Sequence, residues 1–162
     1  MKNRKKLVNF AVGAIIAALY VVLTYLASAM GLSSGVIQVR FSEALTILPV
    51  FTPAAIPGLF IGCLISNLLT GCALWDVIFG SLATLLGAIF TYLLKNHKLL
   101  AVLPPIISNA IIVPPVLIFV YGVSDAYWFI LLTVCFGEII SCGILGTALR
   151  KALEKSRIFE RI

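Results

Sequence analysis

The chain has 162 residues, 62% of them hydrophobic and only 11% charged, with a formal net charge of +6 and a mean hydropathy of +1.15. A water-soluble domain of this length needs far more polar surface, and no run alternates apolar with polar residues as an outer-membrane barrel strand does. The composition specifies an all-α integral membrane protein, with residues 1–162 forming one membrane-embedded domain.

Six apolar segments follow one another. The first runs from Leu7 to Met30, behind the basic cluster Lys2, Arg4, Lys5 and Lys6. That cluster and Ala27-Ser28-Ala29 also have the form of a signal peptide, but the apolar stretch exceeds the usual 7–15 or so residues of its core. Gly13, Ala14, Ala17 and Ala18 make a stripe of small residues on this segment. Such a stripe lets another helix approach closely, which makes it a candidate surface for docking a partner subunit. Packing inside the bundle is the alternative.

The second segment, Arg40 to Phe51, reaches only about 18 Å as an α-helix, against a hydrocarbon core of about 30 Å. It is expected to be tilted, partial or buried among the others. The third runs from Pro53 to Thr70 and carries another small stripe, Gly58, Gly62 and Ser66. The fourth runs from Trp75 to Leu94. The fifth, Lys98 to Tyr121, contains the pairs Pro104-Pro105 and Pro114-Pro115 around Asn109. Each proline lacks an N–H, so the carbonyls of Ala110 and Ile111 lose helical partners. A helix broken there would line a binding site; a packing kink is the alternative. The sixth runs from Tyr127 to Lys155, with Glu138 alone in its apolar middle.

Basic residues set the orientation. The N-terminal cluster, Lys95 and Lys98, and Arg150, Lys151, Lys155, Arg157 and Arg161 fall on one side of six transmembrane helices, while the opposite loops hold no lysine or arginine. Both termini are therefore expected in the cytoplasm. The positive charge follows from this topology and from anionic lipid, and needs no nucleic acid. Of the twelve basic residues, Arg40 is the exception, at the outer end of the short second segment.

Depth then follows from position. Arg40, Glu43, Asn67 and Asp76 lie near the outer ends of their segments and Asn109 and Glu138 near mid-depth, while Glu154 alone among the acids of the six segments sits at an inner end, beside the closing basic cluster. An acidic group at mid-bilayer costs a few kcal/mol and faces protein or a wet cavity. These six residues outline a cavity open to the outside and closed toward the cytoplasm, suited to capturing an imported molecule. Arg40 and Glu43, three apart, equally fit a helix-end ion pair. Trp75, Tyr121, Tyr127 and Trp128 are expected to form an interfacial aromatic belt; Trp75 or Trp128 stacking on a planar ligand is the alternative.

Other chemistry finds little support. Gly31-Leu32-Ser33-Ser34-Gly35 matches G-x-S-x-G but lacks the strand before it that a nucleophile elbow needs. There is no P-loop, and a single histidine, His97, rules out H-E-x-x-H. Cys63, Cys72, Cys135 and Cys142 form no C-x-x-C pair and read as apolar fillers, so no metal site and no cofactor is expected. No nucleophile with a nearby base is visible, and the chain is not expected to be an enzyme.

The stretch Gln38-Val39-Arg40-Phe41-Ser42-Glu43-Ala44-Leu45, then Phe51-Thr52-Pro53-Ala54-Ala55-Ile56-Pro57-Gly58, then Gly71-Cys72, Trp75-Asp76 and Phe79-Gly80-Ser81-Leu82-Ala83-Thr84 resembles the QueT family of queuosine-precursor transporters. These are substrate-binding S components of energy-coupling factor (ECF) transporters. The likeness is densest over residues 36–90. Ala14-x-x-x-Ala18 is also similar to the alanine motif by which S components dock on their shared transmembrane subunit. The resemblance implies a monomeric six-helix protein of the cell membrane that captures a 7-deazaguanine, such as queuine or its aminomethyl precursor. One transmembrane subunit and two ATPase subunits would supply the energy. A guanine-like edge offers two adjacent N–H donors that a carboxylate such as Glu138 accepts together, and Asn109 or Asn67 can serve the carbonyl. A cationic aminomethyl group would favour a second acid, Glu43 or Asp76. Another vitamin-type substrate, a flavin or a thiamine-like cation, is the alternative within transport. A non-transport role in membrane assembly would leave Glu138 without a ligand.

Overall fold

The computed structural model describes residues 2–32, 37–97, 99–156 and 158–160. Part of the Gly31–Gly35 run lies outside the described residues, as do the orientation markers Lys98, Arg157 and Arg161. Every element among the described residues is helical. Four helices are long and apolar enough to cross a membrane: Asn3–Ala29, Leu74–Leu93, Leu100–Phe119 and Tyr127–Ser156. Phe41–Val50 and Ala55–Leu69 are apolar but shorter. Large apolar side chains face outward, Phe10 at 77% and Phe119 at 86% exposure among them. An apolar coat on this scale suits hydrocarbon and not water.

Helix α1 (Lys2–Ala29) ends where Gly31 takes a left-handed φ of 73°. There Gly31 N donates to Ser28 O at 2.9 Å and Leu32 N to Ala27 O at 3.0 Å, a glycine cap that satisfies the last carbonyls. Helix α2 (Ala55–Leu69) ends the same way at Gly71, with Cys72 N donating to Asn67 O at 3.0 Å. Helix α3 spans Leu74–Leu93. Helix α4 (Leu103–Phe119) follows a 3-10 turn over Leu100–Val102 and stops before Gly122, also left-handed. Helix α5 (Tyr127–Glu138) continues through a π-helical stretch, Ile139–Leu145, into α6 (Gly146–Ser156).

Small residues set how closely α1 and α2 pack. A Cβ on Gly58 would fall 2.6 Å from Gly13 O, and one on Gly62 would fall 2.7 Å from Tyr20 Cβ. Gly13 and Ala17 are buried in this contact, whereas Ala14 and Ala18 are exposed. The small stripe of α1 is thus divided. Gly13 and Ala17 serve internal packing, a correction to their expected place on a docking surface, because both glycines of α2 need a side-chain-free path against them. Only Ala14 and Ala18 present an outer face.

The short second segment is a 3-10 helix, Phe41–Val50. At about 2.0 Å per residue it reaches about 20 Å. It runs inside the bundle: Ser42, Glu43, Leu45, Thr46 and Ile47 are all buried. Its Leu45 and Leu48 join Ile16, Tyr20, Leu59 and Ala88 in the core. The fifth segment also departs from expectation. Pro104 and Pro105 open α4, where a missing N–H costs nothing, and the helix runs unbroken past Pro114 and Pro115. Membrane helices tolerate such prolines where neighbours take up the freed carbonyls.

Candidate ligand-binding site

The glycine-capped ends of α1, α2 and α4 meet the start of α3 around a chamber of about 390 Å³. Small-molecule sites occupy about 300–1,000 Å³, so the chamber has room for a single fused-ring ligand. Thr24, Asn67, Thr70, Asp76 and Tyr121 line it, with Gln38 and Arg40 from the segment that leads into the 3-10 helix. A smaller recess of about 30 Å³ adjoins it, sharing Gln38, Arg40, Asp76 and Val113 and adding Glu43, Asn109 and Glu138. The structure therefore places Arg40, Glu43, Asn67, Asp76, Asn109 and Glu138 on two adjoining cavities that share a wall. Trp75 is placed elsewhere, 56% exposed and stacked on Phe79 at 6.0 Å beside a separate apolar groove.

Each polar group has a distinct setting. Asp76, in the first turn of α3, sits where a helix dipole favours a negative charge. Its Oδ2 accepts a hydrogen bond from Tyr121 Oη at 2.9 Å, and Tyr121 Oη itself accepts from Ala73 N at 3.1 Å. Asn67 is 2% exposed; its amide nitrogen lies against Cys63 Sγ at 3.6 Å. Gly80 leaves room for both, since a Cβ there would sit 3.1 Å from Asn67 Nδ2 and 3.6 Å from Asp76 Oδ1.

Glu43 is 2% exposed. Tyr20 Oη donates to its Oε1, while its Oε2 has no hydrogen-bond partner. Among the described residues no carboxylate pairs with the Arg40 guanidinium, so the helix-end ion pair between Arg40 and Glu43 does not form. Arg40 is instead fixed through its backbone, whose N–H donates to Ser141 Oγ at 3.1 Å. Glu138 closes the far side of the recess. Cys142 Sγ donates to its Oε2 at 3.1 Å, and Asn109 lies within hydrogen-bonding reach.

The π-helical stretch and Gly137 position this wall. A Cβ on Gly137 would fall 2.1 Å from Gln38 O, so only glycine lets the chain entering the 3-10 helix pass this close. Stretches of π-helix recur at functional sites, and this one carries Ser141 and Cys142, which touch Arg40 and Glu43 respectively. Sequence reasoning assigned Tyr121 to an aromatic belt and passed over Tyr20, Thr24 and Gln38. A tyrosine reads as belt or core until its hydroxyl partner is known, and those partners lie 45 and 23 residues away.

The family model described as QueT transporter matches residues 10–155. The queuosine precursor transporter QueT of Lactococcus lactis subsp. cremoris (strain MG1363) is 42% identical over 84 residues. That match covers 51% of this chain and 48% of the relative, so it spans about half of each. No solved structure matches the chain.

Proposed function

The chain belongs to the QueT transporter family, and from that premise we propose that it captures a 7-deazaguanine queuosine precursor in the chamber, for import across the cell membrane. The observation that carries this reading is the cavity itself: about 390 Å³ of chamber lined by Asp76, Gln38, Asn67 and Arg40, with Glu43, Asn109 and Glu138 in the recess beside it, in an otherwise apolar helical bundle. Buried polar groups normally have partners, and here a polar ligand would supply them. Asp76 or Glu138 accepts the two adjacent donors of a guanine-like edge, a charge-assisted and therefore strong arrangement. Asn67 or Asn109 serves the ring carbonyl, and Arg40 offers a fork of donors to a further acceptor. A cationic aminomethyl arm is offset by a second acid, Asp76 in the chamber wall or Glu43 beyond it.

In this reading all six apolar segments belong to the membrane domain and both termini are cytoplasmic. The chamber then opens outward. The chain is an S component: it binds, and an ECF transmembrane subunit with two ATPase subunits drives transport. Ala14 and Ala18, exposed on α1, are the proposed contact with the transmembrane subunit. Uptake of a radiolabelled 7-deazaguanine by cells lacking their own importer tests the proposal. Uptake should require both this chain and the energising subunits. Uptake that is equal with and without this chain would overturn it.

A further inference from the structure

The recess beside the chamber holds about 30 Å³, enough for a water or a single ion. Three carboxylates line it, Glu43, Asp76 and Glu138, against one guanidinium, Arg40. Its formal charge is thus negative by two. Glu43 is fully enclosed, and its Oε2 lacks any hydrogen-bond partner, a costly state for a carboxylate oxygen. Tyr20 holds the other oxygen, which leaves Oε2 as the free donor atom. The helix after Glu138 brings Cys142 round to the same face, with its sulfur 3.1 Å from Glu138 Oε2 and 3.5 Å from Glu43 O. One donor atom each from Glu43, Glu138 and Cys142 lies within 4.8 Å of the other two.

We propose that the cluster of Glu43, Glu138 and Cys142 at the edge of this recess binds one divalent cation of borderline softness. A single ion fits the volume, and its two charges offset the excess on the walls. Two carboxylates and a sulfur select zinc-like ions over magnesium or calcium, which take oxygen-only ligand sets. As the sulfur binds, the Cys142 thiol proton leaves to solvent. The inference does not depend on the transport reading, because ion binding needs neither the imported molecule nor the partner subunits.

The test uses the full chain, purified in detergent and stripped with a chelator, then titrated with Zn²⁺ against a chromophoric competitor. Bound metal is counted by plasma mass spectrometry. One zinc per chain is expected. Glu43→Gln and Cys142→Ser should each weaken binding at least about tenfold, the lower range for losses at a metal site. His97→Ala, which removes an exposed surface ligand, should leave binding unchanged. Should Glu43→Gln fail to fold, the near-isosteric Cys142→Ser carries the test. Absence of stoichiometric zinc, or a Cys142→Ser protein that binds zinc as the parent does, overturns the proposal. Either result leaves ligand capture standing, since that is read with the imported molecule and not with zinc.

Discussion

Glu138 joins sequence and chemistry most directly. It lies in the middle of an apolar helix, and the structure sets it on a polar cavity with Asn109 within reach and Cys142 donating to one oxygen. A carboxylate offers the ligand acceptors only. Glu138→Gln replaces one acceptor with a donor and removes the charge. A mismatched buried polar group costs about 1–3 kcal/mol, and 1.4 kcal/mol is about tenfold in affinity. Calorimetry should therefore show binding weakened by about tenfold or more, with the protein still monodisperse. Unchanged affinity would make the residue structural. Such a residue was legible from sequence because an acid inside an apolar run is conspicuous. Tyr20 and Tyr121 were not, because their roles depend on which carboxylate each hydroxyl meets, and sequence separation hides those contacts.

The helices divide their faces between packing and presentation, and α1 shows the division. Small residues four apart were visible as a stripe, but not which of them met α2. The answer lay in Gly58 and Gly62, whose missing side chains match Gly13, Ala17 and Tyr20. Gly62→Leu should push α1 and α2 apart, which lowers thermal stability and ligand binding together, because Tyr20 and Thr24 on α1 support Glu43 and Ser42. Ala14→Trp should behave differently. Ala14 is exposed, so a bulky residue there leaves the fold and binding intact but blocks close helix approach. In this variant uptake and partner co-purification should be lost while ligand binding and thermal stability are kept. An Ala14→Trp protein that transports normally would remove this surface from the docking account. The short second segment was legible as too short to cross a bilayer; that it would be a 3-10 helix was not, since ten residues is long for that helix type and the core position of Phe41–Val50 comes from its neighbours.

Taken as a whole, the chain gathers the polar residues of the chamber near the helix ends capped by Gly31, Gly71 and Gly122. Segment boundaries were readable within a few residues, because apolar runs and glycine or proline breaks mark them. The orientation rests on charge alone. In a background without native cysteines, a single cysteine at Ser124 should react with an impermeant thiol reagent in intact cells, and one at Asn96 should not. Labelling of Asn96 from outside would invert the chamber and with it the direction of capture. The proposed capture of a 7-deazaguanine in the chamber is tested most directly by calorimetric titration of the purified chain. The account predicts saturable binding of one 7-deazaguanine precursor per chain, lost in an Asp76→Ala, Glu138→Ala double variant that remains folded, and not displaced by excess flavin or thiamine. Absence of heat with any 7-deazaguanine, alongside saturable binding of flavin or thiamine, would contradict it.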